Sequence, residues 1–282
     1  MSTKEKAREV LRKLRGQPTS DGAGVRMTRI IGTPQLDHFD PFLLLDEFRS
    51  DDPNDYIAGF PDHPHRGFET VTYMLAGRMK HGDNQGNTGL LGPGSVQWMT
   101  AGRGIVHSEF PQQVEGLMWG FQLWVNLPAS DKMTAPRYQD IQADQIPETT
   151  LAAGVRARVL TGKLGGVAGP VTGVATEPIY YDLHIDKGRS YDVPLPAAHN
   201  AFIYVYAGSA VVGAKSTPLE RGELALLGPG DSVHVAAGSE DCRLILVAAR
   251  PLNEPIARYG PFVMNTREEI YQAFEDFRAG RL

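Results

Sequence analysis

The sequence predicts a mainly β protein made of two copies of one β domain, closed by a single C-terminal helix. Three observations carry this. First, 31 glycines and 20 prolines exceed the usual combined share of ~12%, and they fall in turn-forming groups between apolar runs. Second, Leu90-Leu91-Gly92-Pro93-Gly94 recurs as Leu226-Leu227-Gly228-Pro229-Gly230, an offset of 136 that also carries Ala101-Gly102 onto Ala237-Gly238. Third, Tyr73…Ala76-Gly77 matches Tyr204…Ala207-Gly208 at an offset of 131. Colinear matches in two blocks point to a duplicated domain.

The elements follow in order. Lys4 to Arg15 is basic and reads as a solvated edge or tail, with Arg8 to Leu14 balanced between strand and helix. Thr70 to Leu75 and Phe202 to Tyr206 alternate and are rich in β-branched and aromatic residues, so both read as strands. Trp119 to Val125 and Leu244 to Ala248 are the matching late strands. Leu127 to Ala153 is polar, carries three prolines and reads as the connector. The expected domains are 1–135 and 154–255, with a linker over 136–153 and a closing segment over 256–282. In that segment Thr266-Arg267-Glu268-Glu269 is a capping box. Ile270, Phe274 and Phe277 follow at helical spacing, predicting an amphipathic helix packed on the barrels.

Composition excludes several classes. The net charge is −5, from 28 basic and 33 acidic side chains, which argues against direct nucleic-acid binding. The single cysteine, Cys242, precludes an internal disulfide or a cysteine metal cluster. No apolar run reaches the ~18 residues of a membrane helix. The N-terminus is too polar for a signal peptide, so a cytoplasmic address is expected; a monomer is the expected oligomeric state.

The histidines carry the chemistry. His63-Pro64-His65 places two imidazoles on one side of an extended chain, and His107-Ser108-Glu109 repeats that geometry. Three neutral imidazoles and a carboxylate suit a divalent first-row metal and leave positions open for water, O₂ or substrate. By spacing alone, Glu69 competes with Glu109 for the carboxylate role. His81, in a Gly/Asn-rich loop, and His38, in a turn, read as ordinary surface residues. The repeat offsets set Pro194 and Pro196 opposite His63 and His65, and Arg243 and Ile245 opposite His107 and Glu109. His184, His199 and His234 form no spaced pair, so one metal per chain is expected.

These motifs resemble the pirin family, bicupins of the cupin superfamily. The resemblance rests on Asp21-Gly22-Ala23-Gly24-Val25, Asp40-Pro41-Phe42-Leu43-Leu44-Leu45-Asp46, and Phe60 through Tyr73. It extends through Gln97 to Glu109, Gln122 to Pro128 and Gly260-Pro261-Phe262-Val263-Met264-Asn265-Thr266. It implies two tandem double-stranded jelly-roll barrels, of which the comparison of the two copies makes the first metal-binding and the second metal-free. It implies Fe(II) held by His63, His65, His107 and Glu109, with Glu69 as a pocket-side or outer group. Sequence alone leaves Mn, Ni, Cu and Co open.

Two functions follow from the resemblance. One is quercetinase-type dioxygenation, the O₂-dependent ring opening of a flavonol with loss of CO. Glu109 would then accept a proton, Arg66 would orient a phenolic substrate, and Phe60, Met99 and Trp119 are candidate pocket walls. The other is a non-catalytic iron-binding redox sensor, acting as a transcriptional co-regulator or modulator of a metabolic enzyme. Such a role needs a protein partner, for which Arg26 to Arg29 and the basic N-terminus are the best surface.

Overall fold

The computed structural model describes residues 6–282, so Lys4 lies outside the described chain. The strands of its first half are β1 (Val10–Arg15), β2 (Gln17–Asp21), β3 (Val25–Ile31), β4 (Phe42–Ser50), β5 (Phe60–His65) and β6 (Phe68–Ala76). Then come β7 (Met79–Asp83), β8 (Thr88–Leu91), β9 (Val96–Thr100), β10 (Ile105–Pro111), β11 (Met118–Asn126) and β12 (Arg137–Ile141). The second half holds β13 (Glu148–Ala152), β14 (Val155–Thr161), β15 (Lys163–Leu164), β16 (Val167–Ala168), β17 (Ile179–Ile185), β18 (Ser190–Pro194) and β19 (Asn200–Ala207). It continues with β20 (Ser209–Val212), β21 (Thr217–Glu220), β22 (Glu223–Leu227), β23 (Ser232–Ala237) and β24 (Cys242–Ala249). A hairpin, β25 (Ala257–Tyr259) and β26 (Phe262–Met264), precedes helix α1 (Arg267–Arg278).

The chain forms two compact units. One contains Gln17–Ala143 and Leu252–Leu282, the other the described residues through Gly16 and Asp144–Pro251. In the first, a seven-stranded sheet β12-β9-β6-β11-β4-β3-β2 accompanies a four-stranded sheet β5-β10-β7-β8. In the second, β1-β22-β19-β24-β17-β14-β13 accompanies β18-β23-β20-β21. The two orders correspond strand for strand, so the duplication is real. The described chain holds no helix long and apolar enough to cross a membrane.

The edges depart from the expected domain limits. β1 pairs with β22 in the second unit, Lys13 opposite Ala225. The predicted linker is no loop: β12 extends the first unit beside β9, and β13 pairs with β14 in the second. Both are edge strands with only half-buried and exposed residues, and that polarity imitates a connector.

The repeat was matched one strand out of step downstream. Leu90-Leu91-Gly92-Pro93-Gly94 closes β8, whereas its copy closes β22, the counterpart of β9. The counterpart of β10 is therefore β23, and Arg243 and Ile245 sit on β24, the counterpart of β11. A Gly-Pro-Gly turn suits any strand end, so it does not report register. Where β5 and β10 carry histidines, the corresponding part of the second unit puts Val193, Leu195, Val233 and Val235 into its apolar core. Cys242 belongs to that core, and burial pushes its thiol up to about 12.

The capping box is present: Glu269 N–H donates to Thr266 Oγ1 at 3.2 Å, and Thr266 N–H donates to Glu269 at 2.9 Å. The buried stripe differs from expectation. Ile270 and Ala273 are buried with Phe262 and Met264 of the hairpin, while Phe277 remains 40% exposed. The helix thus packs on β25 and β26 of the first unit, where the short Ala273 lets it approach closely.

Candidate metal centre

β5 and β10 run antiparallel with His107 directly opposite His63. Residues two apart face the same way, so His65 joins His63 and Glu109 joins His107. The ring centroids are 4.3 Å apart for His63 and His107, 4.8 Å for His63 and His65, and 5.0 Å for His65 and His107. Ligand-capable atoms of the three lie within 4.8 Å of one another.

Hydrogen bonds set the tautomers. His63 Nδ1 donates to Pro61 O at 2.8 Å, which leaves Nε2 with its lone pair. His107 Nδ1 meets His81 Nδ1 at 3.3 Å, and its buried Nε2 has no partner. His65 Nδ1 is likewise buried and unpartnered. Burial first, then the neighbouring imidazoles, holds His65 and His107 well below the ordinary imidazole range, so both are neutral. Neutral imidazoles with orphaned buried nitrogens fit a divalent first-row metal. The cluster can hold one.

Glu109 stands outside the mutual 4.8 Å cluster but lines the same cavity as His63 and His65. Its Oε1 lies 3.2 Å from Thr72 Oγ1, and Thr72 Oγ1 lies 2.6 Å from the Gln122 amide group. The Thr72 hydroxyl thus has two acceptors in reach, Gln122 Oε1 at 2.6 Å and Glu109 Oε1 at 3.2 Å, and its one hydrogen serves one of them at a time. The cavity measures about 650 Å³. Phe48, Phe60, Leu44 and Trp124 give it apolar walls, and Arg29, Asp46 and Arg258 give it charge.

Other expected site residues lie elsewhere. Glu69 does not line the cavity; it accepts from Thr100 Oγ1 at 2.7 Å, and burial pushes it up to about 7. The parity count from His65 fails because Gly67, at φ +86°, turns the chain between β5 and β6. Glu69 and Thr72 consequently lie on opposite faces of β6, and Thr72 is the one that meets the cavity. Arg66 is 3% exposed, pairs with Asp276 and donates to Arg103 O, so it is not positioned to orient a substrate in the cavity. Met99 packs with Ala101, Ile105 and Tyr138. Trp119 donates to Glu47 at 2.7 Å, under the Arg49 guanidinium, and only Phe60 of the three expected wall residues lines the cavity.

His81 was missed. It lies on β7 opposite Glu109, is 2% exposed and packs against Tyr138. The signal was the alternation Met79 in, Lys80 out, His81 in. The Gly/Asn-rich turn begins only after it. Arg258 was missed as well, because nothing local ties it to the histidines.

Two jelly-roll barrels, the first holding a histidine cluster that could bind a metal and opens on a cavity, define a two-barrel cupin. The chain belongs to the pirin family. The family pattern described as Pirin matches residues 24–125, and the Pirin C-terminal cupin domain matches residues 180–282. A pirin-like protein of Caulobacter vibrioides is 52% identical over 275 residues, covering 97% of this chain and 99% of the relative. Human pirin is 45% identical over 263 residues, covering 92% of this chain and 88% of its own. The crystal structure of a quercetin 2,3-dioxygenase from Acinetobacter baumannii superposes with a TM-score of 0.91 at 35% identity, covering 98% of each chain.

Proposed function

We propose that this protein is an iron-dependent dioxygenase of the quercetinase type, acting on a flavonol-like enol and O₂ with release of CO. The observation that carries the reading is the histidine cluster at the wall of an apolar cavity, with Glu109 beside it. The likeness to the Acinetobacter enzyme supports the substrate class. His63, His65 and His107 would hold one metal per chain, with Glu109 as the fourth ligand. A metal there supplies Lewis acidity toward a substrate hydroxyl and one-electron chemistry toward O₂.

The chain's own residues do the rest. Phe60 and Trp124 accept the flat rings and exclude water from the reacting edge. Glu109 Oε1 is held by Thr72, which leaves Oε2 to take the enol proton. Gln122 Oε1 competes with that carboxylate for the Thr72 hydroxyl hydrogen.

The test is anaerobic loading with Fe(II), followed by quercetin and O₂. Decay of the flavonol absorbance with stoichiometric CO is the expected result. A full iron complement with no turnover of any flavonol overturns the reading. Metal analysis of protein purified without added metal checks both the identity of the ion and the single equivalent.

A further inference from the structure

The cavity holds two arginines in different states. Arg29 is spent within the protein: Nε and Nη2 donate to the two oxygens of Asp46 at 2.9 and 2.8 Å, and Nη2 also reaches Asp21 at 3.0 Å. Arg258 has no carboxylate partner among the described residues. Nη1 donates to Leu43 O at 3.0 Å, and the guanidinium lies 5.0 Å above the Trp124 ring. No other acceptor for its guanidinium is found among the described residues, and the side chain lines the cavity. Burial lowers its pKa without removing its charge.

Its distance from the histidines is set by Trp124. The Trp124 ring is 5.1 Å from the ring of His65, so the guanidinium lies no more than about 10 Å from His65. That is the length scale of two fused aromatic rings. The cavity thus has Glu109 near the histidine cluster and, across the Trp124 ring, a guanidinium with no direct ion pair among the described residues, on which Asp37, Asp46 and Asp21 act only at longer range. A substrate with a hydroxyl at one end and an anion at the other has one favourable orientation.

We propose that Arg258 is an anion subsite, taking a carboxylate carried by an aromatic substrate at the end remote from the hydroxyl that faces His63, His65 and His107. This rests on the reading of the cavity as a substrate site and extends the class from flavonol-like enols to aromatic hydroxy acids. The planar fork accepts both carboxylate oxygens, and Trp124 fixes the guanidinium plane at little entropic cost.

The test measures binding alone. Metal-loaded protein is titrated calorimetrically without O₂ against 6-hydroxy-2-naphthoate and against 2-naphthol. The carboxylate should bind about tenfold tighter at low salt, in keeping with a charge-assisted pair. Arg258→Gln should bring the ratio near unity while leaving the 2-naphthol affinity largely unchanged. Arg258→Lys, which keeps charge without the fork, should retain part of the preference. Equal affinities in the wild type, an unchanged ratio in Arg258→Gln, or no binding of the naphthoate overturns the proposal. No turnover enters this readout. A protein that shows the preference yet opens no flavonol overturns the dioxygenase reading and leaves the subsite standing.

Discussion

Arg66 and Asp276 form an ion pair of 2.8 Å that ties the residue after His65 to the C-terminal helix. Arg66 is 3% exposed, and its hydrogen bonds hold Asp276 at about 2, with Arg281 the first cause and Arg66 the second. Val263 N–H donates to Arg66 O at 3.0 Å beside this pair. A Cβ on Gly67 would overlap the Val263 carbonyl. Positive φ and close approach together make glycine necessary there. The strand that carries His63 and His65 therefore takes its position from a segment some two hundred residues away.

Replacing Asp276 by Asn strands a buried guanidinium. A loss of about 3 kcal/mol is expected, at the low end for a broken buried pair because Asp276 is near the surface. Calorimetric unfolding checks it, and an unchanged midpoint would show that Arg66 finds another partner. The pH profile gives a second readout. A depressed carboxyl contributes stability that is complete above its unfolded value near ~3.9 and is lost as pH falls toward its folded value of about 2. The variant should lose that dependence between about pH 4 and pH 2.

His81 gives a prediction about metal retention. It meets His107 Nδ1, and removing such an outer partner costs roughly 10–100-fold in affinity. His81→Phe should therefore weaken metal binding in a chelator competition while all three cluster histidines remain. Wild-type affinity in this variant would mean that His107 needs no support.

The two carboxylates should separate cleanly. Glu109→Gln should lose most turnover, because no carboxylate oxygen remains to take the proton. Glu69→Gln should keep the metal and change the stability profile instead. Glu69 has its folded pKa raised to about 7, so the folded state binds more protons than the unfolded one between about pH 4.5 and pH 7. Wild-type stability falls as pH rises through that window, and Glu69→Gln should flatten the fall. Metal loss in Glu69→Gln with retention in Glu109→Gln would reverse the assignment.

Lys132 offers a test of the same region. Its buried ammonium donates to Gly67 O, Asn126 Oδ1 and Val263 O at 2.8, 2.7 and 2.9 Å. Lys132→Met leaves three acceptors unpaired and should cost roughly 3 kcal/mol by denaturant unfolding. Burial holds the amine down at about 8, so wild-type stability should rise between about pH 8 and its unfolded value near ~10.4. The variant should lack that rise.

The cluster was legible because β geometry is local. His63 and His65 share a face by period two, and strand pairing sets His107 opposite His63. The duplication was legible from Ala76-Gly77 and Ala207-Gly208, which end equivalent strands β6 and β19. Register was not, because a Gly-Pro-Gly turn fits after any strand. Glu69 misled because parity counts only within an unbroken strand, and Gly67 breaks it. Arg258 and Asp276 left no trace in the histidine motifs, since their contacts to that region span long separations and depend on the hairpin and helix.

The strand order carries a consequence for synthesis on the ribosome. β1 finds its partner only when β22 has been made, with Val10 opposite Leu227. The first unit in turn awaits Leu252–Leu282. The barrel strands of that unit, β2 to β12, are complete by Ile141, and the late segment adds the β25–β26 hairpin and the helix. Co-translational folding can therefore assemble the first barrel early, whereas the second closes late, by the long-range and slow pairing of β1 with β22. Until then the β22 edge is exposed to other nascent chains, and a chaperone that shields strand edges would act at that moment.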